Sequence, residues 1–290
     1  MTTNRTRKTV LITGTSSGLG KTAARLFASS GWNVIATMRK PEDGADLAGL
    51  GDVLVTRLDV QDRASIVEAI AAGIARFGRI DALINNAGFG LYGLFESTPR
   101  EKIQQQFDVN VFGIMDVTRA ILPHFRQNKS GLIINISSGA GVFTFPMISL
   151  YCASKFALEG FSESLSYELA SQGIAVKIVE PGGMHSTNFG KRSGTEAAHN
   201  AALADYDTFI ANANVFFASW QSSATEHDVA KVIFGAATDG TSQLRYVATA
   251  DIAPLVKARR ETSEQEYITF MKSRVSPKRP QRAMKRITTN

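Results

Sequence analysis

Cysteine is almost absent from this chain. Of 290 residues only Cys152 is one, so no internal disulfide can form. Long apolar runs are missing too. No stretch approaches the roughly 20 residues that span a bilayer, and the opening MTTNRTRK is polar and basic with no apolar segment behind it. These absences lead us to expect a soluble, cytoplasmic protein with no membrane span. Acidic residues are missing from one region. From Lys272 to the end there are seven basic residues (Lys272, Arg274, Lys278, Arg279, Arg282, Lys285 and Arg286) and no carboxylate. Without those seven, the formal charge of +6 falls to near neutrality. The basic character therefore belongs to a tail, 272–290, and not to a binding face. We expect a solvated, poorly ordered terminus and no specific nucleic-acid partner, with a nucleic-acid or acidic-membrane contact through the tail as the alternative. No His, Cys, Asp or Glu residues are spaced as metal ligands, and no metal is expected.

What is present is globular: 44% hydrophobic, 20% charged and 24 glycines spread along the chain. The length suits one large domain over 1–290. Short apolar, β-branched runs at 8–14, 32–38, 53–60, 79–88, 132–138 and 174–183 alternate with helical periodicity. The helix over 62–78 has a capping Asp62 and a terminating Gly78. The helical stretch through Ile103, Phe107, Val111 and Ile114 runs toward Pro123, and another occupies 152–170. Such alternation predicts an α/β fold of Rossmann type, a doubly wound parallel sheet of about seven strands flanked by helices. A variable segment at 182–225 carries one or two helices. A helix over 225–240, a last strand at 244–250 and a charged C-terminal helical extension over 251–274 complete the chain.

Two local patterns bear on function. Between the first strand and first helix lies Gly14-Thr15-Ser16-Ser17-Gly18-Leu19-Gly20. Glycines there let backbone approach a pyrophosphate, and the helix N-terminus offers free N–H groups to the anion. The end of the second strand reads Ala36-Thr37-Met38-Arg39-Lys40, without the carboxylate that would hold a ribose 2′-hydroxyl of NAD. Arg39 is placed to hold a 2′-phosphate, with Ser16 adding a hydroxyl, which favours NADP(H) over NAD(H). Further on, Tyr151 and Lys155 stand four residues apart and so share one helix face. On its own that spacing also describes a surface helix with a half-buried tyrosine and a snorkelling lysine.

Asn85-Asn86-Ala87-Gly88 after the fourth strand, Asn110 within DVNVFG, Ser137-Ser138 after the fifth strand and Pro181-Gly182 after the sixth join these patterns in order. Together with TGTSSGLG and Tyr151/Lys155, the set resembles the short-chain dehydrogenase/reductase family over about 8–190. The resemblance implies a catalytic tetrad of Asn110, Ser138, Tyr151 and Lys155. It implies that Asn86, Ala87 and Gly88 flank the adenosine of the cofactor and that Asp59 and Val60 meet the adenine. Pro181 and Gly182, with Met184 following, would lie beside the nicotinamide. The family often has Thr five residues after that Pro. Here the position is Ser186 with Thr187 next, and the two hydroxyls are alternatives for the carboxamide.

A ketone is reduced by a hydride at carbon and a proton at oxygen. A free tyrosine titrates near about 10, and a lysine one turn away would stabilise its phenolate and lower that value. Ser138 would hydrogen-bond the substrate oxygen. By resemblance, Asn110 would help hold a water leading from Lys155 to solvent; its plainer reading is a satisfied polar group within a helix. Candidate substrate residues are Ser138, Tyr151, Phe89, Leu91, Phe143, Phe145, Met147 and Phe189, then Phe209, Phe216, Phe217 and Trp220. Their aromatic character favours a fairly bulky apolar carbonyl or alcohol. We expect a nicotinamide-dependent oxidoreductase. The rival is a catalytically silent NADP-binding regulator or scaffold. The resemblance also implies a homodimer or homotetramer built on the helices around 100–125 and 152–170.

Overall fold

The computed structural model describes residues 7–184, 201–220 and 222–275, with the side chains of 201 and 202 not described. The apolar runs form seven strands. These are β1 Thr9–Thr13, β2 Asn33–Met38, β3 Val53–Arg57, β4 Ala82–Asn85, β5 Gly131–Ile136, β6 Ile174–Glu180 and β7 Arg245–Val247. All pair in parallel in the order β3-β2-β1-β4-β5-β6-β7. Buried on both faces, β1 shows no polar alternation and all five of its residues are covered. The edge strand β3 is only half-buried.

The helices are α1 Gly18–Ser29, a one-turn α2 Ala45–Ala48, α3 Arg63–Phe77, α4 Arg100–Phe107, α5 Ile114–Gln127 and α6 Ser149–Ala170. They continue with α7 Asp207–Ser219, α8 Glu226–Thr238, α9 Ala253–Glu261 and α10 Glu264–Val275. On one face of the sheet α1 and α8 bury Ala23, Phe27, Val229 and Ile233. On the other, α3, α5 and α6 bury Ile66, Ile70, Ile121, Phe125, Leu165 and Leu169. The order of the strands reverses between β1 and β4: α1 crosses over on one face of the sheet and α3, which leads to β4, on the other. In open α/β sheets the crevice beyond the strand ends at that switch is where ligands bind.

Asp62 caps α3 as expected, accepting from the Ala64 and Ser65 amides, and Gly78 ends that helix at φ 78°. Three local expectations need correction. The helical stretch before Pro123 is not continuous. A π-helical turn over Asp108–Gly113 separates α4 from α5, and α5 then runs through Pro123 to Gln127, with the proline on the solvent side. The C-terminal extension is two helices and not one. Ser263 and Glu266 form a reciprocal cap that starts α10 after an extended Thr262. The last strand is three residues long. Of the variable segment, a 3₁₀ stretch Ala201–Tyr206 and α7 are described, while 185–200 lie outside the described residues, as do 276–290 of the basic tail.

Candidate active site

The glycine-rich turn is built by backbone conformation. Gly14 adopts φ 73° and Gly18 φ 55°, values that side-chain-bearing residues rarely take. Gly20 is required for space. A Cβ there would collide with the Gly14 carbonyl and the Asn86 amide nitrogen. Asn86 anchors the turn by donating to the Thr13 and Gly14 carbonyls at 2.9 and 3.1 Å. Thr13 Oγ1 in turn accepts from the Asn86 and Ala87 amides, both at 3.0 Å. Ser17 is the N-cap of α1, yet its hydroxyl makes no capping hydrogen bond. The first-turn amides of α1 thus remain available to an anion.

From this turn a cavity of about 840 Å³ runs over the ends of β1, β4, β5 and β6. At the turn it is lined by Gly14, Ser16, Ser17, Gly18, Leu19 and Gly20. Along β2 and β3 it meets Arg39, Asp59 and Val60, and along β4 Asn86, Ala87 and Gly88. Pro181, Gly182 and Met184 lie at its far side with Ser138, Tyr151 and Lys155. Arg39 is exposed at the rim. Ser186, Thr187 and Phe189 lie outside the described residues. An open crevice with an uncapped helix N-terminus and a glycine turn that a single methyl would fill fits a dinucleotide.

Helix α6 begins at Ser149, three residues earlier than its periodicity indicates, and so carries Tyr151 within its first turn. The Tyr151 phenol is hydrogen-bonded to Ser138, whose hydroxyl accepts from the Ala140 amide at 3.1 Å. Lys155 donates to the Ile136 carbonyl at 2.8 Å, and its Nζ lies 5.8 Å from the centre of the Tyr151 ring. Asn110 is held by the π-helical turn and is fully buried. Its Oδ1 accepts from the Phe89 amide at 3.0 Å, and its Nδ2 donates to the Phe89 carbonyl at 2.7 Å and to Ser154 on α6 at 3.1 Å. It joins the strand end to the helix that carries Tyr151 and Lys155, as a satisfied buried group. Gly88 sits against both partners, since a Cβ there would be 3.2 Å from Asn110 Oδ1 and 3.8 Å from Lys155 Nζ.

The electrostatics differ from the expectation of a lysine-acidified phenol. Burial pushes Tyr151 up to about 12, and the Ser138 hydrogen bond only partly offsets it. Burial also brings Lys155 down to about 8, opposed by the charge of Glu159. Desolvation disfavours the charged form of each group, and here it outweighs their mutual tuning. Near neutral pH the protein alone holds a protonated phenol beside an ammonium.

At the other end of the cavity, Phe89, Leu91, Phe143, Phe145, Phe217 and Trp220 contribute to the wall. Phe145 is the hub, with Phe143, Phe216, Phe217 and Trp220 packed edge-on at 5.0–5.9 Å. Met147 and Phe209 do not line it, and Phe216 stands behind the first layer. Phe209 is largely exposed because α7 turns that face outward. Cys152 is buried beside Ala140, Tyr151 and Ile148, and burial pushes its thiol up, as suits packing.

Several contributors carry no local sequence signal. Tyr92 donates to Asn214 of α7 at 2.7 Å, across 122 residues, and both line the cavity. Thr249 Oγ1 accepts from the Gly182 amide at 2.9 Å. Asp251 accepts from the Gly183 amide at 3.0 Å and from the Trp220 indole at 2.9 Å. These side chains fix the turn after β6 and tie α7 to it. Among the described residues no three His, Cys, Asp or Glu side chains gather as a metal site, and no helix is long and apolar enough to cross a membrane.

Residues 8–198 match the short chain dehydrogenase family. An uncharacterised oxidoreductase of Schizosaccharomyces pombe is 42% identical over 72% of this chain and 87% of its own. A 3-ketodihydrosphingosine reductase of Bacteroides thetaiotaomicron is 41% identical over 60% of this chain and 62% of its own. A short-chain dehydrogenase from Streptomyces avermitilis superposes with a TM-score of 0.77 at 34% identity, over 92% of this chain and 97% of that one. Another solved relative, ElxO, was determined with NADP bound; it covers 83% of this chain and 98% of its own at 28% identity and a TM-score of 0.69. Sheet order, glycine turn and family match agree on an enzyme that uses a nicotinamide cofactor. The chain belongs to the short-chain dehydrogenase/reductase family of oxidoreductases.

Proposed function

We propose that this enzyme interconverts a carbonyl and a secondary alcohol on a fairly bulky apolar substrate, with NADP(H) as cofactor and Tyr151 as acid/base. The observation that carries the reading is the Ser138–Tyr151 hydrogen bond at the inner end of the cavity, with the Lys155 ammonium beside the phenol. When bound, the nicotinamide supplies or accepts the hydride. The residues do the rest. Ser138 orients the substrate oxygen by hydrogen bonding, and Tyr151 gives it a proton in reduction or takes one in oxidation. In the protein alone the phenol is held protonated at neutral pH, the form that gives a proton in reduction. Gly14, Ser17, Gly18, Leu19 and Gly20 would hold the pyrophosphate; Asp59 and Val60 the adenine; Asn86, Ala87 and Gly88 the adenosine; and Pro181, Gly182 and Met184 the nicotinamide side.

Arg39 supports NADP. It lies at the cavity rim with no carboxylate beside it on the same strand end, so a 2′-phosphate has a bidentate partner there. Arg39→Asp should raise the Kd for NADPH by at least about tenfold and improve binding of NADH, read by nicotinamide fluorescence. Unchanged NADPH affinity would remove the Arg39 role.

The aromatic wall around Phe145 supports an apolar substrate, and the similarity to a 3-ketodihydrosphingosine reductase points the same way. A panel of ketones read by loss of NADPH absorbance tests this. Aromatic or long-chain ketones should turn over well ahead of small polar ones, and the reverse order would exclude the substrate class. Assembly as a homodimer or homotetramer is supported by Phe112 and Phe156, large apolar side chains left exposed on the π-turn and on α6.

A further inference from the structure

The charge on Lys155 has no close counter-ion. Its Nζ is buried and donates to a carbonyl, and it enters no ion pair among the described residues. A buried ammonium without an anion shifts toward its neutral form. One turn along the same face of α6 stands Glu159, also buried. Its Oε2 pairs with Arg245 of β7 at 2.9 Å, while Oε1 is buried with no hydrogen-bond partner. The stem of Glu159 packs close to the Lys155 backbone. The position a Cβ would take at Gly141 lies 2.9 Å from Glu159 Cγ and 3.1 Å from the Lys155 carbonyl oxygen.

Glu159 belongs to a wider cluster. Arg245 pairs also with Glu163 at 2.5 Å and stands 3.7 Å from Glu180, which Arg260 of α9 reaches at 2.5 Å. Three carboxylates thus face two guanidiniums, and the formal charge left over is opposite to that of Lys155. Other charged groups lie on the elements around α6. Lys177 of β6 pairs with Asp239 at 2.5 Å, Asp108 of the π-turn accepts from Gln104 at 2.8 Å, and Arg100 and Glu101 of α4 are exposed. The 3₁₀ turn Gly139–Gly141 has no titratable side chain.

We propose that Glu159 is a positioning residue of the reaction: held by Arg245, its carboxylate is the buried anion that keeps Lys155 charged beneath Tyr151. The inference rests on the Tyr151–Lys155 reading, but its test does not require turnover. In ¹⁵N-lysine-labelled protein without cofactor, the Lys155 Nζ resonance, assigned with Lys155→Met, is followed against pH. Wild type should titrate near about 8. Glu159→Gln should lower that midpoint by about one pH unit, because an opposite charge is removed. Arg245→Met should raise it by a similar amount, because the cation paired with Glu159 and Glu163 is removed. The alkaline limb of the pH–rate profile should move with the titration in each variant. Should one variant fail to fold, the sign of the shift in the other decides. A folded variant with an unmoved midpoint, even with a lower Tm, or a shift of the opposite sign, overturns the proposal. A wild-type-like response with turnover retained in Tyr151→Phe would instead count against the catalytic reading.

Discussion

Tyr151→Phe should reduce kcat/KM for carbonyl reduction by about 10²- to 10⁴-fold, the usual contribution of a positioned proton donor. The phenol oxygen is the only part of the side chain removed. The ring stays packed against Ala140, Cys152 and Ile148, so the fold should be unaffected and Tm should stay close to wild type. Cofactor affinity should also persist, because the glycine turn and Arg39 are untouched. Ser138 loses a partner, but it keeps the hydrogen bond from the Ala140 amide. Stopped-flow loss of NADPH absorbance and a fluorescence titration separate the two effects. Retained turnover would transfer the acid role to another group. An equal loss of binding and rate would mean that the variant is misfolded at the cavity floor.

The second large effect separates two glycines. Gly20→Ala should destabilise the protein by about 1–3 kcal/mol, the range for overpacking a filled site. The obstruction is backbone, the Gly14 carbonyl, together with an Asn86 amide already bonded to Thr13 and Gly14. Neither can yield without opening the turn, so NADPH affinity should fall as well. Gly160→Ala should do the opposite. It sits inside α6 with nothing within 4 Å of where its Cβ would be, and helix propensity there favours Ala by up to about 1 kcal/mol. Urea melts of the two variants give both signs in one experiment. A neutral Gly20→Ala would mean that the turn is looser than its hydrogen bonds indicate.

The fold could be read because its signals are local. A covered parallel strand is a nearly continuous apolar run, and β1, β2, β4 and β5 read that way, while β6 is interrupted by Lys177. The glycine turn, the Asp62 cap and the four-residue spacing of Tyr151 and Lys155 are likewise patterns within one element. Lines of contact that cross the chain left no trace. Tyr92 with Asn214, Asp251 with Trp220, and Arg245 with Glu159 and Glu180 each join residues far apart, and no periodicity announces such a pair. DVNVFG reads as helix because a π-turn uses the same apolar spacing over so short a span, and only the pull of Asn110 toward the Phe89 backbone reveals the difference. The depth of Tyr151 and Lys155 was also hidden. Spacing places the two groups on one face but says nothing of burial, and burial sets the direction in which both titrate.

The most direct test follows the atom that moves. Purified protein is given NADPH carrying deuterium at the transferable nicotinamide position, together with a bulky apolar ketone, and the product is examined by mass spectrometry. The account requires an alcohol heavier by one deuterium at the carbinol carbon from wild type, with Tyr151→Phe giving almost none. Bound NADPH that never passes its label to any ketone of the panel, in a folded wild-type protein, would contradict it and leave a cofactor-binding protein without turnover.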